Sequence, residues 1–511
     1  MEEEDQPAGG TRFTRRSATF IGSFTFAARI VERVGAFGQI ALIASVYGSS
    51  FVADRYFIAS IAPLIIGAIA GEAFSANILP ALVRSRDEVN LISAGLWLVT
   101  AVMVIITACY LGVAAFVVHS YTPAGSSDLR IWLAFAPIGA LLGVSGYLAG
   151  VLTYFERYVW PPFRSAVSTV AGFAATGAVL LFTHDLVWVA IAVSSGYALS
   201  CFALVLEIRR VVGRGVFARV TPTGLQAALA LRGGLGSPVL GGLLGGQVFV
   251  LLERLLASTV GVGAVSTLSY ARGVVFTPTI ASQSIALGLY PGMVRAHEAN
   301  DVEHVRGSLL RGLRATAFLA IVFAAFFVLF ARPTTDLLLR RGAFDPADAR
   351  HVSSALAAFS LALVGSMLMV FVARIFYAVA YFRAVVWTQL SALVVYAAIA
   401  LPLRAVLGTS GLAVAFGIAE LAGGIFGLGL AGRRVGLTVR GTLSVACAPA
   451  VVRALPVAVV LAAVRFVGGT GLLVMIVALI VGGVAGGAVL WHATWPELDG
   501  VKRRVRGLIA A

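Results

Sequence analysis

Apolar stretches of roughly 20 residues or more recur from one end of this chain to the other, separated by short gaps of charge, glycine or proline. Such a run is what a helix needs to cross a ~30 Å hydrocarbon layer, where the backbone must satisfy its own hydrogen bonds. The expected fold class is therefore all-α and polytopic. Composition agrees: of 511 residues, 59% are hydrophobic and only 12% charged, about half the ~25% typical of a soluble domain. Soluble enzymes, disulfide scaffolds and disordered proteins are excluded.

The net charge of +15 does not point to nucleic acid. All 38 basic residues except Lys502 are arginine, and most sit in the gaps between apolar runs. That is the placement of cytoplasmic loops held against anionic membrane lipids. Cys109, Cys201 and Cys447 stand apart, without zinc or redox spacing, and the six histidines form no metal-ligand run. No P-loop lysine and no nucleophile–base pattern is present, so neither an enzyme nor a cofactor is expected. The energy for any transport is left to an ion gradient, the membrane potential or the substrate gradient.

The apolar runs read as about fourteen helices, at 17–47, 52–82, 89–118, 130–153, 160–183, 185–208, 237–259, 264–293, 309–331, 351–381, 384–403, 408–431, 446–466 and 469–491. In the thirteenth, Pro449, Arg453 and Pro456 allow an interfacial piece before the span. The first run carries Arg29, Glu32 and Arg33 and continues to Tyr47, unlike the short apolar core of a cleaved signal. Arg15–Arg16 lacks the apolar residues that follow at once in a twin-arginine leader. A retained first helix is expected.

Alternate gaps are arginine-rich: Arg84/Arg86, Arg157/Arg164, Arg209 to Arg232, Arg295 to Arg314, Arg383 and Arg433 to Arg440. By the positive-inside rule these, with the tails 1–16 and 493–511, are cytoplasmic. The exception is Arg332 to Arg350, balanced in part by Asp336, Asp345 and Asp348. An internal echo accompanies this pattern. Glu32–Arg33 precedes Leu79–Pro80 and Val83–Arg84, and Glu253–Arg254 precedes Tyr290–Pro291 and Val294–Arg295. An even number of spans between the copies gives parallel repeats, which bind substrate at their interface. The expected organisation is a six-helix lobe over 17–211, a cytoplasmic linker at 212–236, a second lobe over 237–432, and two further helices over 433–492.

Charges at bilayer depth are costly and face a cavity or one another. Arg29, Glu32 and Arg33 share one helical face. Glu72 falls in the second run, Glu253 and Arg254 in the seventh, Arg272 in the eighth, Arg374 in the tenth and Glu420 in the twelfth. Arginine–glutamate pairs that lock helices together are one reading. The other is a cavity with a slight excess of arginine, suited to a dianion such as pyrophosphate, for which planar guanidinium groups are better donors than lysine. The glycines at 241–246 offer close packing or a bend before Glu253.

Several stretches resemble the MurJ/MviN family of lipid II flippases, within the MOP exporter superfamily. They are Glu32–Arg33–Val34–Gly35, Tyr47–Gly48, Ala53–Asp54, Glu72–Ala73–Phe74–Ser75 with Leu79–Pro80, Leu255–Leu256–Ala257–Ser258, Gly263–Ala264–Val265–Ser266, Ser269–Tyr270–Ala271, Arg340–Arg341–Gly342–Ala343–Phe344–Asp345 and Ala373–Arg374–Ile375–Phe376–Tyr377–Ala378. The resemblance implies two lobes around a cationic cavity and a groove on the last two helices for a polyprenyl tail. It also implies alternating-access export of an undecaprenyl-pyrophosphate-linked peptidoglycan precursor across the bacterial cytoplasmic membrane. Arg33 matches the family's first cavity arginine, Asp54 its aspartate at the outer end of the second helix, and Glu72 approximately its glutamate. Gln39 stands where the family has a second first-helix arginine, and Ile66–Gly67 where it has a pair. The alternatives are a Wzx-like flippase for another polyprenyl-linked oligosaccharide, a multidrug exporter of the superfamily, and a non-transporting scaffold of envelope synthesis.

Overall fold

The computed structural model describes residues 15–85, 87–121, 129–213, 221–229, 238–469 and 471–492, and among them finds α-helices and one π-helical turn but no strand. The basic tail with Lys502–Arg506, the amino-terminal tail up to residue 14 and most of the 212–236 linker lie outside the described residues. The helices are α1 (Arg15–Tyr47), α2 (Phe51–Arg84), α3 (Glu88–Tyr121), α4 (Leu129–Tyr154), α5 (Trp160–Leu180) and α6 (Leu186–Val211). A short α7 (Pro222–Leu229) follows, then α8 (Pro238–Ser258), α9 (Ala264–Val275), α10 (Thr279–Glu298), α11 (Val302–Leu339) and α12 (Pro346–Ala378). The last described helices are α13 (Phe382–Arg434), α14 (Val439–Thr442), α15 (Ala448–Gly468) and α16 (Leu472–His492).

Ten of these helices are long and apolar enough to cross a membrane. In α13 the backbone turns at Gly408 (φ +57°, ψ −132°), a conformation glycine tolerates because it has no Cβ. The chain folds back so tightly there that a Cβ at Gly411 would lie 2.1 Å from the Leu403 carbonyl oxygen. Counting α13 as two arms, and adding α8, the α9–α10 pair and α16, is consistent with the fourteen spans read from the sequence.

Three stretches differ from that reading. The stretch 264–293 is not one helix: α9 ends at Val275 and α10 starts after Pro278. Pro278 has no N–H to continue the ladder, and proline disfavours helical backbone at the residue before it. Within 212–236, the eight residues of α7 form a helix packed on α3. In the thirteenth run, a π-helical turn at Leu443–Cys447 runs directly into α15, which continues through Pro456, so no separate interfacial piece forms.

α1 packs along α5, α2 along α4, and α4 and α5 against α6; α8 packs on α13, while α12 is the hub for α9, α10, α11 and α13. α15 and α16 pack on α11 and on each other. Proline supplies one link: Pro333 kinks α11 at Phe330. The carbonyl it leaves unpaired four residues earlier, on Leu329, accepts from Arg465 Nε of α15 at 3.0 Å. In lipid such a freed acceptor needs a protein donor.

The α2–α4 contact is backbone on backbone. A Cβ at Gly146 would sit 2.2 Å from Gly71 Cα, and one at Gly67 would sit 2.7 Å from the Gly139 carbonyl. Small residues permit this approach where apolar burial gives helices no reason to associate in lipid. Gly146→Val must push the helices apart, a cost of about 1–3 kcal/mol or more. A clearly lower unfolding midpoint in detergent is expected; an unchanged midpoint would show that the contact is not close.

Candidate functional site

A cavity of about 430 Å³ lies between the α1–α6 group and α8–α9. Arg33 and Gln39 of α1, Arg254 of α8 and Arg272 of α9 line it together with Ser60, Ser168, Thr169, Tyr197 and Ser269. These four sequence-nominated residues come from runs more than two hundred residues apart, and only the packing of the two groups brings them together.

The arginines differ in how their charge is met. Arg272 forms an ion pair with Glu253, which is fully buried, and its guanidinium lies 4.3 Å from the centre of the Phe416 ring, with Phe276 and Phe359 also in range. Arg254 donates to Ser269 Oγ and lies over Phe57 at 5.5 Å. Its partners are neutral. Among the described residues no carboxylate lies within ion-pair distance of Arg33 or Arg254. Glu32, beside Arg33 in sequence, is instead taken by Arg29 at 2.8 Å. Three guanidinium groups therefore line the cavity, and one of them is neutralised by a carboxylate.

Gln39 donates to Tyr56 Oη at 3.3 Å and to Thr176 Oγ1 at 3.1 Å, which fixes its amide in the wall. Glu420, deep in α13, accepts from Ser366 Oγ at 2.8 Å and does not line the cavity. Glu72 is not enclosed. Gly71 faces the Leu142 carbonyl and Gly146 of α4, so the next residue, 100° round the helix, turns outward. Arg374 is likewise outside the lining; Tyr377, one turn from it on α12, interacts electrostatically with both Arg374 and Glu72. Arg29, Glu32, Glu72 and Arg374 thus surround one end of the cavity, here termed the mouth.

The opposite end is shut by polar contacts between the two groups. Asp54, buried on α2, accepts from the N–H groups of Gly263 (2.6 Å) and Ser266 (2.7 Å) at the start of α9. Its charge is therefore met by backbone donors and the positive end of a helix. Tyr270 Oη donates to the Gly48 carbonyl at 2.8 Å, and Ser49 N–H to Asp348 Oδ2 at 3.0 Å. The Arg341–Asp345 motif belongs to the same closure. Ala343 N–H donates to the Ser45 carbonyl at 2.7 Å, and Asp345 caps α12 through a capping box with Asp348. Gly342 sits at φ +58°, where a Cβ would be 2.2 Å from the Ser45 oxygen. Only glycine fits.

Asp54→Asn tests this closure. The amide offers one acceptor oxygen in place of two, so one charge-assisted bond of ~1.5–3 kcal/mol is lost and the open population rises by about tenfold or more. In a chain freed of its native cysteines and carrying Ser266→Cys, maleimide labelling should accelerate accordingly. An unchanged rate would show that Asp54 does not hold this end shut.

Sequence reading missed Arg164, which it assigned to a loop. Pro161–Pro162 open α5, so Arg164 is already the fifth residue of the helix; proline at the first helical positions was the available signal. It also missed Tyr197 and Thr169, ordinary-looking residues whose role depends on which face α1 leaves open.

Two helical groups with arginines at their interface and one end latched define a multi-pass membrane protein with a transporter-type fold. The family model described as "Lipid II flippase MurJ" matches residues 43–482. The chain belongs to that family. A lipid II flippase MurJ of Burkholderia cenocepacia is 26% identical over 390 residues, 71% of this chain and 73% of that protein. A probable lipid II flippase MurJ of Rickettsia prowazekii is 28% identical over 117 residues, 23% of each chain. Among solved structures, a MurJ in the inward closed conformation superposes with a TM-score of 0.72 at 17% identity, covering 92% of this chain and 98% of that one. An inward-facing multidrug resistance MATE transporter of the MOP superfamily gives 0.63 at 17% identity, covering 80% and 98%. These likenesses show the fold.

Proposed function

We propose that this protein carries a polyprenyl-pyrophosphate-linked peptidoglycan precursor of the lipid II kind across the bacterial cytoplasmic membrane by alternating access. The observation that carries the reading is the pair of guanidinium groups, Arg33 and Arg254, that line a cavity closed at one end, with no described carboxylate at ion-pair distance. A pyrophosphate joining lipid to sugar is doubly negative and offers oxygens to planar donors from two sides. A cationic drug would meet repulsion there.

Both termini are cytoplasmic in this reading, so the mouth faces the cytoplasm and the Asp54 latch faces outward. The lobes run over 17–211 and 237–432, and the helices of 433–492 form a groove that holds the polyprenyl tail. Rocking of one lobe against the other breaks the latch and closes the mouth, and membrane potential or a coupling ion drives the return. The test is translocation of labelled lipid II in vesicles carrying the purified protein. Transport of lipid II supports the reading. Transport of another polyprenyl-linked oligosaccharide in its place, or of neither, overturns it.

A further inference from the structure

Arg164 is the one strongly basic group at the mouth that no function above has absorbed. Its Nε and Nη1 are shut off from solvent and have no hydrogen-bond partner. A guanidinium without acceptors is costly in such a place, because burial removes the water that would otherwise solvate it. The residues facing it are charged or polar: Glu72 of α2, Arg29 and Glu32 of α1, and Cys201 and Tyr197 of α6. None of the carboxylates comes within ion-pair distance of it among the described residues.

Its height in the bundle follows from the α1–α5 contact. Gly35 lies against Thr169, Gly38 against Phe173, and Gln39 against Gly172, so the two helices run in the same direction with a steady offset. Continuing that register about one and a half turns toward the mouth sets Arg164 beside Arg29. On α5 it is one turn below Ser168, which lines the cavity. On α1, Arg29 is one turn below Arg33. The two helices therefore carry cations on successive levels, with Arg164 and Arg29 at the mouth, Arg33 above them, and Arg254 and Arg272 across from it. Arg29 is already held by Glu32. Arg164 is not held.

We propose that Arg164 is the receiving site for the pyrophosphate at the mouth, engaging it before Arg33 and Arg254 do. Its Nε and Nη1 donors, closed off in this arrangement, meet the phosphate oxygens when the mouth widens to admit the headgroup, and Glu72 opposite repels the dianion and directs it past the mouth toward Arg33. This rests on the cavity being a pyrophosphate-lipid site. It adds a specificity-determining residue from α5, a helix that carried no nominated charge.

The test is equilibrium binding of lipid II to the full-length protein in nanodiscs at several salt concentrations. Wild type is compared with Arg33→Ala, Arg164→Gln, Arg164→Lys, and Arg164→Gln combined with Glu72→Gln. Arg164→Gln is expected to weaken binding about tenfold or more and to flatten the salt dependence, with lysine recovering only part because it lacks the fork. The double variant should stay weak. Wild-type binding by Arg164→Gln, alongside weakened Arg33→Ala, overturns the role of Arg164 and leaves the cavity reading intact. Full recovery in the double variant also overturns it, since Arg164 would then only balance Glu72. If wild type itself does not bind lipid II, the cavity reading fails instead. Should Arg164→Gln not fold, Arg164→Lys carries the test, with binding weaker by about threefold expected and unchanged binding overturning the proposal.

Discussion

Arg33→Ala is expected to abolish growth when the variant is the only lipid II flippase in a strain depleted of its own, while the protein still reaches the membrane in normal amount. The reason lies in how the neighbouring charges are distributed. Glu32 is occupied by Arg29, and no other described carboxylate reaches Arg33. Truncating Arg33 therefore orphans no partner, and stability should change little. The loss falls on the ligand. A charge-assisted bidentate contact inside a cavity is among the stronger polar interactions, and losing one of the two unneutralised guanidinium groups halves the charge available to a dianion. Growth supported by Arg33→Ala would remove this residue from the capture mechanism. A variant absent from the membrane would contradict the separation of binding from folding argued here.

Arg272→Leu is expected to behave in the opposite way, with a large loss of stability. Glu253 is fully buried and its Oε1 already lacks a hydrogen-bond partner; Arg272 is the cation that meets its charge. Breaking a buried pair from one side costs about 3–5 kcal/mol, most of it from the charge left behind. The aromatic rings of Phe276, Phe359 and Phe416 offer a carboxylate nothing in return, because their faces are electron-rich. Adding Glu253→Gln to Arg272→Leu should restore most of the unfolding midpoint in detergent. Lipid II binding should return with it, since removing both members of the pair leaves the cavity's net charge unchanged and Arg33 and Arg254 in place. A midpoint untouched by Arg272→Leu would show that the pair is not structurally coupled.

The two arginines were indistinguishable as letters. Arg29, Arg33, Arg254, Arg272 and Arg374 all read as charges at bilayer depth, and the sequence offered two explanations for each: a helix-locking pair or a free cavity group. The pairing differs from residue to residue: Arg272 joins α9 to α8 through Glu253, whereas the Arg29–Glu32 pair lies within α1. Arg29 and Arg272 are paired with carboxylates, Arg33 and Arg254 face the cavity without one, and Arg374 lies outside the lining toward the mouth. The same holds for the carboxylates. Glu253 is sealed inside, Glu420 accepts from Ser366, Glu72 points outward, and Asp54 is met by backbone N–H groups at a helix start. Periodicity locates a residue on a helix. It does not say what stands opposite.

The break at Pro278 shows the limit of reading hydropathy. Apolar residues continue across it, and a span counted by length passes over an interruption of the helix at a residue that has no N–H to give. Gly408 was easier, because charge at Arg404 and glycine together already divided that long run.

Class was settled by the letters alone, because lipid imposes a rule that acts locally: any segment crossing it must be long, apolar and helical, and each run can be judged without its neighbours. Which guanidinium groups are free to take a ligand was decided only by the tertiary structure. An ion pair is a matter of a few ångströms between α1, α8 and α9, and that distance is set by how the two helical groups pack rather than by any spacing along the chain.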